Sequence, residues 1–334
     1  MRSTSRWRRC SALAGALTIA LASAPAARAQ QQAQGFAIER LVQSAPGAGW
    51  IAMDDLELKG GLGGAVGLTL GYAHGPLVID SPGAPSLAVV RHQASAELAF
   101  AVTWDRFRLR ASFSSPIYVA GQGGTAAGFH FTAPRANLEQ TPDLISDAQV
   151  GVDARLLGEP RGAFRLGASA ALIAPSGERA DYLTDATYRG IARLLVAGDL
   201  GSLSYAGHAG VHLRPLDDGG VPGSPRGPEL LFGLAAGTAI PIKTNDTNDT
   251  KALKLGAEVF GASALQALFG AQTTALEALA TARLDGPRTA RSIVRFKLGA
   301  GAGLNARFGA PQWRVVGGVE FVGRTDDAAS PGGW

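Results

Sequence analysis

Leu203-Ser204-Tyr205-Ala206-Gly207-His208-Ala209-Gly210-Val211-His212-Leu213-Arg214 decides how this chain folds. Odd positions carry Leu, Tyr, Val and Leu, while even ones carry Ser, His, His and Arg. Side chains on a strand alternate between its two faces, so this segment has one greasy face and one polar face. Its length suits the roughly 9–11 residues that a tilted strand needs to cross a bilayer, about twice the mean strand of soluble proteins.

The pattern recurs along the chain. Strands are expected near 62–74, 91–104, 106–118, 146–158, 163–174, 188–200, 202–214, 229–240, 250–261, 273–284, 291–302 and 312–323. Connections after odd-numbered strands are long (75–90, 119–145, 175–187, 215–228, 262–272 and 303–311), and those after even-numbered strands are mostly short. Membrane barrels show this asymmetry because one rim carries tight periplasmic turns and the other long outer loops. A soluble sandwich, the rival reading, gives no reason for loop lengths to alternate. The stretch 241–249 is long for a tight turn. The expected fold is an all-β, closed antiparallel transmembrane barrel of about 12 strands, within a range of 10–14.

On this phase the outward face runs Val66, Leu68, Leu70, Tyr72; Leu98, Phe100, Val102, Trp104; Phe107, Leu109, Phe113; Val150, Val152, Leu156; and Val315, Val319, Phe321. None is charged, as a lipid face requires, since a basic residue at the midplane costs about 2–4 kcal/mol. Trp104, Phe107, Phe164 and Trp313 at strand ends fit interfacial girdles.

The start of the chain reads as a secretory signal, residues 1–29: basic Arg2, Arg6, Arg8 and Arg9, an apolar stretch from Cys10 to Ala24, and an Ala27-Arg28-Ala29 exit. Residues 30–61 are then an N-terminal periplasmic lead-in, 62–323 the barrel, and 324–334 a linker-like tail. Cleavage leaves 26 basic and 27 acidic residues, a net charge of −1, and removes the single cysteine. Nucleic-acid binding thus loses its compositional support, and thiol chemistry and disulfides are excluded from the mature chain.

The inward face carries Arg108, Arg110, Arg155, Arg165, Arg193, Arg214, Lys254, Arg283, Arg295, Lys297 and Arg314 against Glu97, Asp153, Glu258, Glu277 and Glu320. Between them lie Gly67, Gly71, Ser112, Gly151, Gly167, Ser169, Gly233, Gly237, Gly256 and Gly299, which leave room in the lumen. A basic, roomy interior favours small anions. The alternative is that the charges pair across the lumen and plug it.

Other chemistry finds little support. His208 and His212 share a face, but on a strand they stand about 13 Å apart, too far for one metal ion. Gly61-Leu62-Gly63-Gly64 and Gly299-Ala300-Gly301-Ala302-Gly303 complete no phosphate loop, and no nucleophile elbow occurs. Neither an enzyme activity nor a cofactor is expected.

Several short motifs carry a family resemblance. Phe36-Ala37-Ile38-Glu39-Arg40-Leu41, Pro46-Gly47, Trp50 and Leu56-Glu57-Leu58-Lys59-Gly60 resemble the start of the barrel in OmpA-family outer-membrane proteins of myxobacterial type. So do Ala174-Pro175-Ser176-Gly177 with Tyr182 and Asp185, Leu276-Glu277-Ala278-Leu279, and Gly301-Ala302-Gly303-Leu304 with Phe308-Gly309-Ala310-Pro311. Similar barrels occur among transporters akin to the MetA-pathway phenol-degradation family. The resemblance implies the outer membrane of a Gram-negative cell, with membrane lipid and the barrel-assembly machinery as partners. Many such proteins continue into a peptidoglycan-binding domain; none follows Arg324-Thr325-Asp326-Asp327 in this sequence. The functional expectation is a passive channel for small, preferentially anionic solutes, with the sixteen inward charges setting selectivity and loop 119–145 restricting the mouth. The alternative is a closed structural or adhesive surface barrel without transport.

Overall fold

The structure, a computed structural model, describes residues 31–81, 83–136, 146–216, 221, 227–242, 251–288, 291–305 and 309–324. The expected signal peptide, most of the 241–249 turn and nearly all of the tail lie outside these residues.

Twelve strands form the wall: β1 (Leu62–Ser81), β2 (Ala84–Trp104), β3 (Phe107–Ala120), β4 (Asp147–Leu157), β5 (Arg165–Pro175) and β6 (Arg189–Leu200). They continue as β7 (Leu203–Leu213), β8 (Glu229–Ile242), β9 (Lys251–Ala264), β10 (Thr274–Arg288), β11 (Ser292–Asn305) and β12 (Trp313–Arg324). Each pairs antiparallel with its neighbours in chain order, and β12 pairs with β1 from Trp313↔His74 to Arg324↔Gly63, closing the cylinder. Closure satisfies the backbone of every strand within the wall, as a bilayer demands. The expected outward face does point outward: Leu68, Leu98, Leu109, Val150 and Val315 are exposed apolar residues. Trp104, Phe107 and Phe164 ring one end, and Tyr118, Tyr188 and Trp313 the other. Phase is legible because a one-residue slip would turn every polar side chain into lipid.

Tight turns at Asp105-Arg106 and Gly201-Ser202 mark one rim, and the long connections gather at the other. One expected long loop is absent. Residues 75–81 and 84–90 continue β1 and β2 as a hairpin beyond the rim, paired as far as Ser81↔Ala84. Its side chains Leu77, Ile79, Val89 and Val90 bury against Phe36, Ile38, Val119, Phe131, Tyr182 and Leu183, and register shifts interrupt the two-residue alternation past the membrane. Together with the short strands Gln31–Gln32, Gly124–Ala126 and Phe129–Phe131, which form a three-stranded sheet, these residues roof the long-loop mouth. The expected restriction of the mouth by loop 119–145 therefore takes the form of a shared lid. Its residues Glu139 and Asp143 lie outside those described.

Candidate functional site: a plugged lumen

Residues 31–61, expected as a lead-in outside the barrel, run through its interior. The physical reason is a match between segment and wall. From the lid, the Ile38 N–H donates to the Tyr182 carbonyl and the Ala37 N–H to Asp185 Oδ1 at 2.8 Å. Mid-lumen, residues 44–51 fold back on themselves, with the Ser44 N–H on the Ile51 carbonyl and its hydroxyl on the Trp50 carbonyl. At the opposite rim Arg165 Nε donates to the Asp55 carbonyl at 2.8 Å, and the Gly61 carbonyl accepts from the Asp105 N–H of the β2–β3 turn. The segment therefore threads the lumen from the long-loop rim to the tight-turn rim and enters β1 there.

Two features seat it. First, wall glycines receive its side chains: an added Cβ would stand 2.2 Å from Met53 Cε at Gly233, 2.4 Å from Ile51 Cδ1 at Gly299, 2.6 Å from the Trp50 ring at Gly256 and 2.7 Å from Leu56 at Gly167. Of the glycines that read as empty space, Gly67, Gly167, Gly233, Gly237, Gly256 and Gly299 meet the plug, whereas Gly71 and Gly151 meet wall atoms. Trp50, Ile51, Met53 and Leu56 pack there with Leu195, Phe260, Leu279 and Val316. Second, the wall charges hold its main chain. The Glu258 carboxylate accepts the N–H groups of Ile51, Ala52 and Met53 at 2.7, 2.8 and 3.1 Å. Arg295 donates to the carbonyls of Gly47 and Ala48 at 2.9 and 3.1 Å, Lys297 to that of Trp50 at 2.9 Å, and Arg283 to that of Gly49 at 3.3 Å. Lys254 lies 4.4 Å from the Trp50 ring centroid, a cation–π contact.

All sixteen inward charges named from the sequence are buried or half-buried inside the barrel. Six of the eleven basic residues, Arg108, Arg165, Arg214, Arg283, Arg295 and Arg314, meet carboxylates that the sequence reading left out. Arg108 bridges Asp54 of the plug and Asp153; Arg110 also faces Asp153, at 3.4 Å. Arg314 joins Glu39 of the plug to Glu277, and Lys297 sits 2.6 Å from Glu320, which also accepts the Gly47 N–H. Asp285 pairs with Arg295 and Arg283, and Asp199 with Arg165. Arg214 is fully enclosed between Asp185 and Glu229, at 2.6 and 3.2 Å, and donates to the Ala37 carbonyl. Arg40 and His212 also approach Glu229. Glu97, Arg155 and Arg193 form no ion pair among the described residues. The missed partners Asp147, Glu229 and Asp285 sit at strand ends, where the alternation fades. Glu39, Asp54 and Asp55 sit in the segment that carries no period at all.

Two anchor carboxyls outside the strands have a stated pH behaviour. Burial pushes Asp185 up, but Arg214, Arg189 and the Ala37 N–H override it and hold the carboxyl below its ordinary value. Burial opposes Glu39 likewise, and Arg314 with the N–H groups of Leu41 and Arg40 brings it below the ordinary value too. A depressed folded value stabilises the anchor above the unfolded value, about 3.9 for Asp and 4.3 for Glu, and the contribution falls away as pH drops through the folded value. The lid end of the plug is thus expected to stay docked from about pH 8 to 5 and to loosen only below about pH 4. Hydrogen exchange of the Ala37 amide reads this directly; release near neutral pH would contradict it.

The fold and its filled lumen define a membrane-spanning β-barrel closed by its own N-terminal segment. No family model matches the chain, and no curated protein does. The resemblance to OmpA-family barrels therefore stays with the short motifs quoted above. Among solved structures the chain is similar to an outer-membrane channel from Pseudomonas putida F1, at 14% identity and a TM-score of 0.47, over 80% of this chain and 96% of that one. It is also similar to the CymD monoaromatic hydrocarbon channel, at 7% identity and a TM-score of 0.39, over 81% and 90% of the two chains. A third is LpxR from Salmonella typhimurium, at 13% identity and a TM-score of 0.36, over 76% and 99%.

Proposed function

We propose that this protein is an outer-membrane channel held shut by residues 31–61, and that it passes small solutes when that plug shifts. One observation carries the reading. Wall glycines lie where side chains of this segment pack, and wall side chains grip its main chain through hydrogen bonds. Hydrogen bonds to charged groups contribute about 1.5–3 kcal/mol each net, and water replaces them on release. A barrel meant to be solid can fill itself with its own wall side chains. Anion preference belongs to the unplugged state: Glu39, Asp54 and Asp55 leave with the plug, and Arg108, Arg283 and Arg314 lose those partners. The passive channel expected from the sequence, which leaves its lumen either open or plugged, becomes a gated one.

The roofed long-loop mouth favours a second reading, a closed surface barrel. Gly299→Phe separates the two, because the nearest atom to a new side chain there is Ile51 Cδ1 of the plug rather than wall backbone. In planar bilayers the unaltered chain should be mostly silent. The variant, still heat-modifiable on gels, should show discrete, anion-preferring conductance steps. A silent variant with a displaced plug would favour the surface-barrel reading.

A further inference from the structure

At the long-loop rim the outer surface of the wall carries a groove of about 480 Å³. Its floor is Gly190 of β6, which pairs with Leu172 of β5 on one side and with Leu213 of β7 on the other. The three form one outward-facing row, so a glycine between two exposed leucines leaves a notch one side chain deep. Tyr188, two residues earlier, shares that face, and Leu216 and Pro228 complete the lining toward the rim. Arg189 and Arg214 also border the groove, but both turn their guanidiniums inward to Asp185. That inner clamp holds β6 and β7 fixed, so the notch is a standing shape, already formed before anything enters it.

Two observations define the medium that meets the groove. Leu172, Tyr188 and Leu213 are each more than half exposed, at the level where aromatic side chains mark the membrane interface. The neighbouring connection, moreover, lies down on the wall instead of rising into water. Leu265 N–H donates to the Pro228 carbonyl at the groove's edge, and Leu265, Leu268 and Phe269 are exposed. The Phe269 ring stands 5.8 Å from that of Phe232, on the lipid-facing side of β8. Apolar surface thus continues from Leu172 across Pro228 to Phe269. Water finds few partners there, and a bilayer offers hydrocarbon to fill the space.

We infer that this groove holds one acyl chain of an outer-leaflet lipid, with the Tyr188 hydroxyl at headgroup level. Between apolar surfaces inside a membrane, packing decides association, because lipid tails are as apolar as leucine. A flat wall touches a chain on one side only. The notch touches it on its floor and both flanks, and those added dispersion contacts set a held lipid apart from the lipids exchanging around the barrel. The inference goes beyond the channel reading and does not depend on it: a silent barrel would hold the lipid equally.

A lipid with a diazirine in its palmitoyl chain tests it. The full chain is refolded into phosphatidylcholine liposomes carrying a small fraction of that probe and irradiated, and the labelled positions are mapped by mass spectrometry. Labelling at Leu172, Tyr188 and Leu213 is expected to exceed that around Tyr118 and Trp313, exposed at the same rim, by about tenfold. Gly190→Leu fills the notch, and a Cβ there meets only Leu213, at 3.8 Å, an ordinary contact that the fold accepts. It should bring the labelling down to that of the two reference positions. Leu213→Ala removes one flank and should lower the labelling at Leu172 and Tyr188, which keeps the test open if the first variant fails to fold. Even labelling around the rim, or an excess that survives both substitutions, would overturn the site and leave boundary lipid alone. Labelling weaker than at Tyr118 and Trp313 would overturn it in favour of a second copy of the chain seated on the groove.

Discussion

Glu258→Ala is expected to raise the open fraction of the barrel by roughly a thousandfold. Its carboxylate accepts three successive backbone N–H groups at the centre of the plug, all out of water. Hydrogen bonds to a charged acceptor are stronger than neutral ones, and removing the acceptor leaves three donors unsatisfied. Discounting for water that enters the gap, about 4 kcal/mol of docking energy is lost. Glu258→Gln keeps an acceptor oxygen and should fall between. Single-channel recording gives the open fraction, and protease cleavage within residues 44–55 reports plug release independently. A variant as silent and as resistant as the parent would show that the plug is held elsewhere.

Arg214→Met is expected to free the lid end by about 3–5 kcal/mol, the usual penalty for leaving buried charge uncompensated. Arg214 is wholly enclosed and satisfies Asp185 and Glu229 together while bonding the Ala37 carbonyl. Without it, Asp185 keeps, among the described residues, Arg189 at 3.7 Å and the Ala37 N–H, and the edge-to-face contact of Phe36 with Tyr182 loses its support. Arg214→Lys should not rescue, because an ammonium cannot span two carboxylates as a planar fork does. The readouts are the thermal midpoint and proteolysis at residues 31–41. An unchanged midpoint in the Met variant would refute the assignment.

These two anchors mark what the sequence could and could not disclose. All twelve strands and the lipid-facing phase were legible, because a bilayer forces strict alternation over lengths that soluble sheets do not use. The inward placement of residues such as Arg108 and Glu258 followed from the same rule. Their partners did not follow. Residues 31–61 have no period, since a segment packed on all sides inside a cylinder has no outer face to keep apolar. It therefore reads as a connection, although Trp50-Ile51-Ala52-Met53 beside Gly47 and Gly49 is unusually apolar for one. The wall glycines were visible but ambiguous: Gly233, Gly256 and Gly299 leave the same mark whether the space they make is open or taken. Extension of β1 and β2 past the rim was hidden because Gly75 and Pro76 look like a turn, while the register resumes at Leu77↔Val90.

The passage of residues 31–61 from one rim to the other has a consequence for how the molecule is put together. The seam between β1 and β12 is the last place where the ring can be sewn, and the chain that becomes the filling is continuous with one lip of that seam. Pushing it in afterwards would mean feeding the folded loop at 44–51 lengthwise through a finished tube, against its own conformational entropy. The sheet is therefore expected to close around its contents during assembly, with Glu258 and Arg295 gathering the segment then and clasping it in the finished protein, while later gating needs only a local shift of the plug. A lesion at either should slow insertion as well as loosen the product.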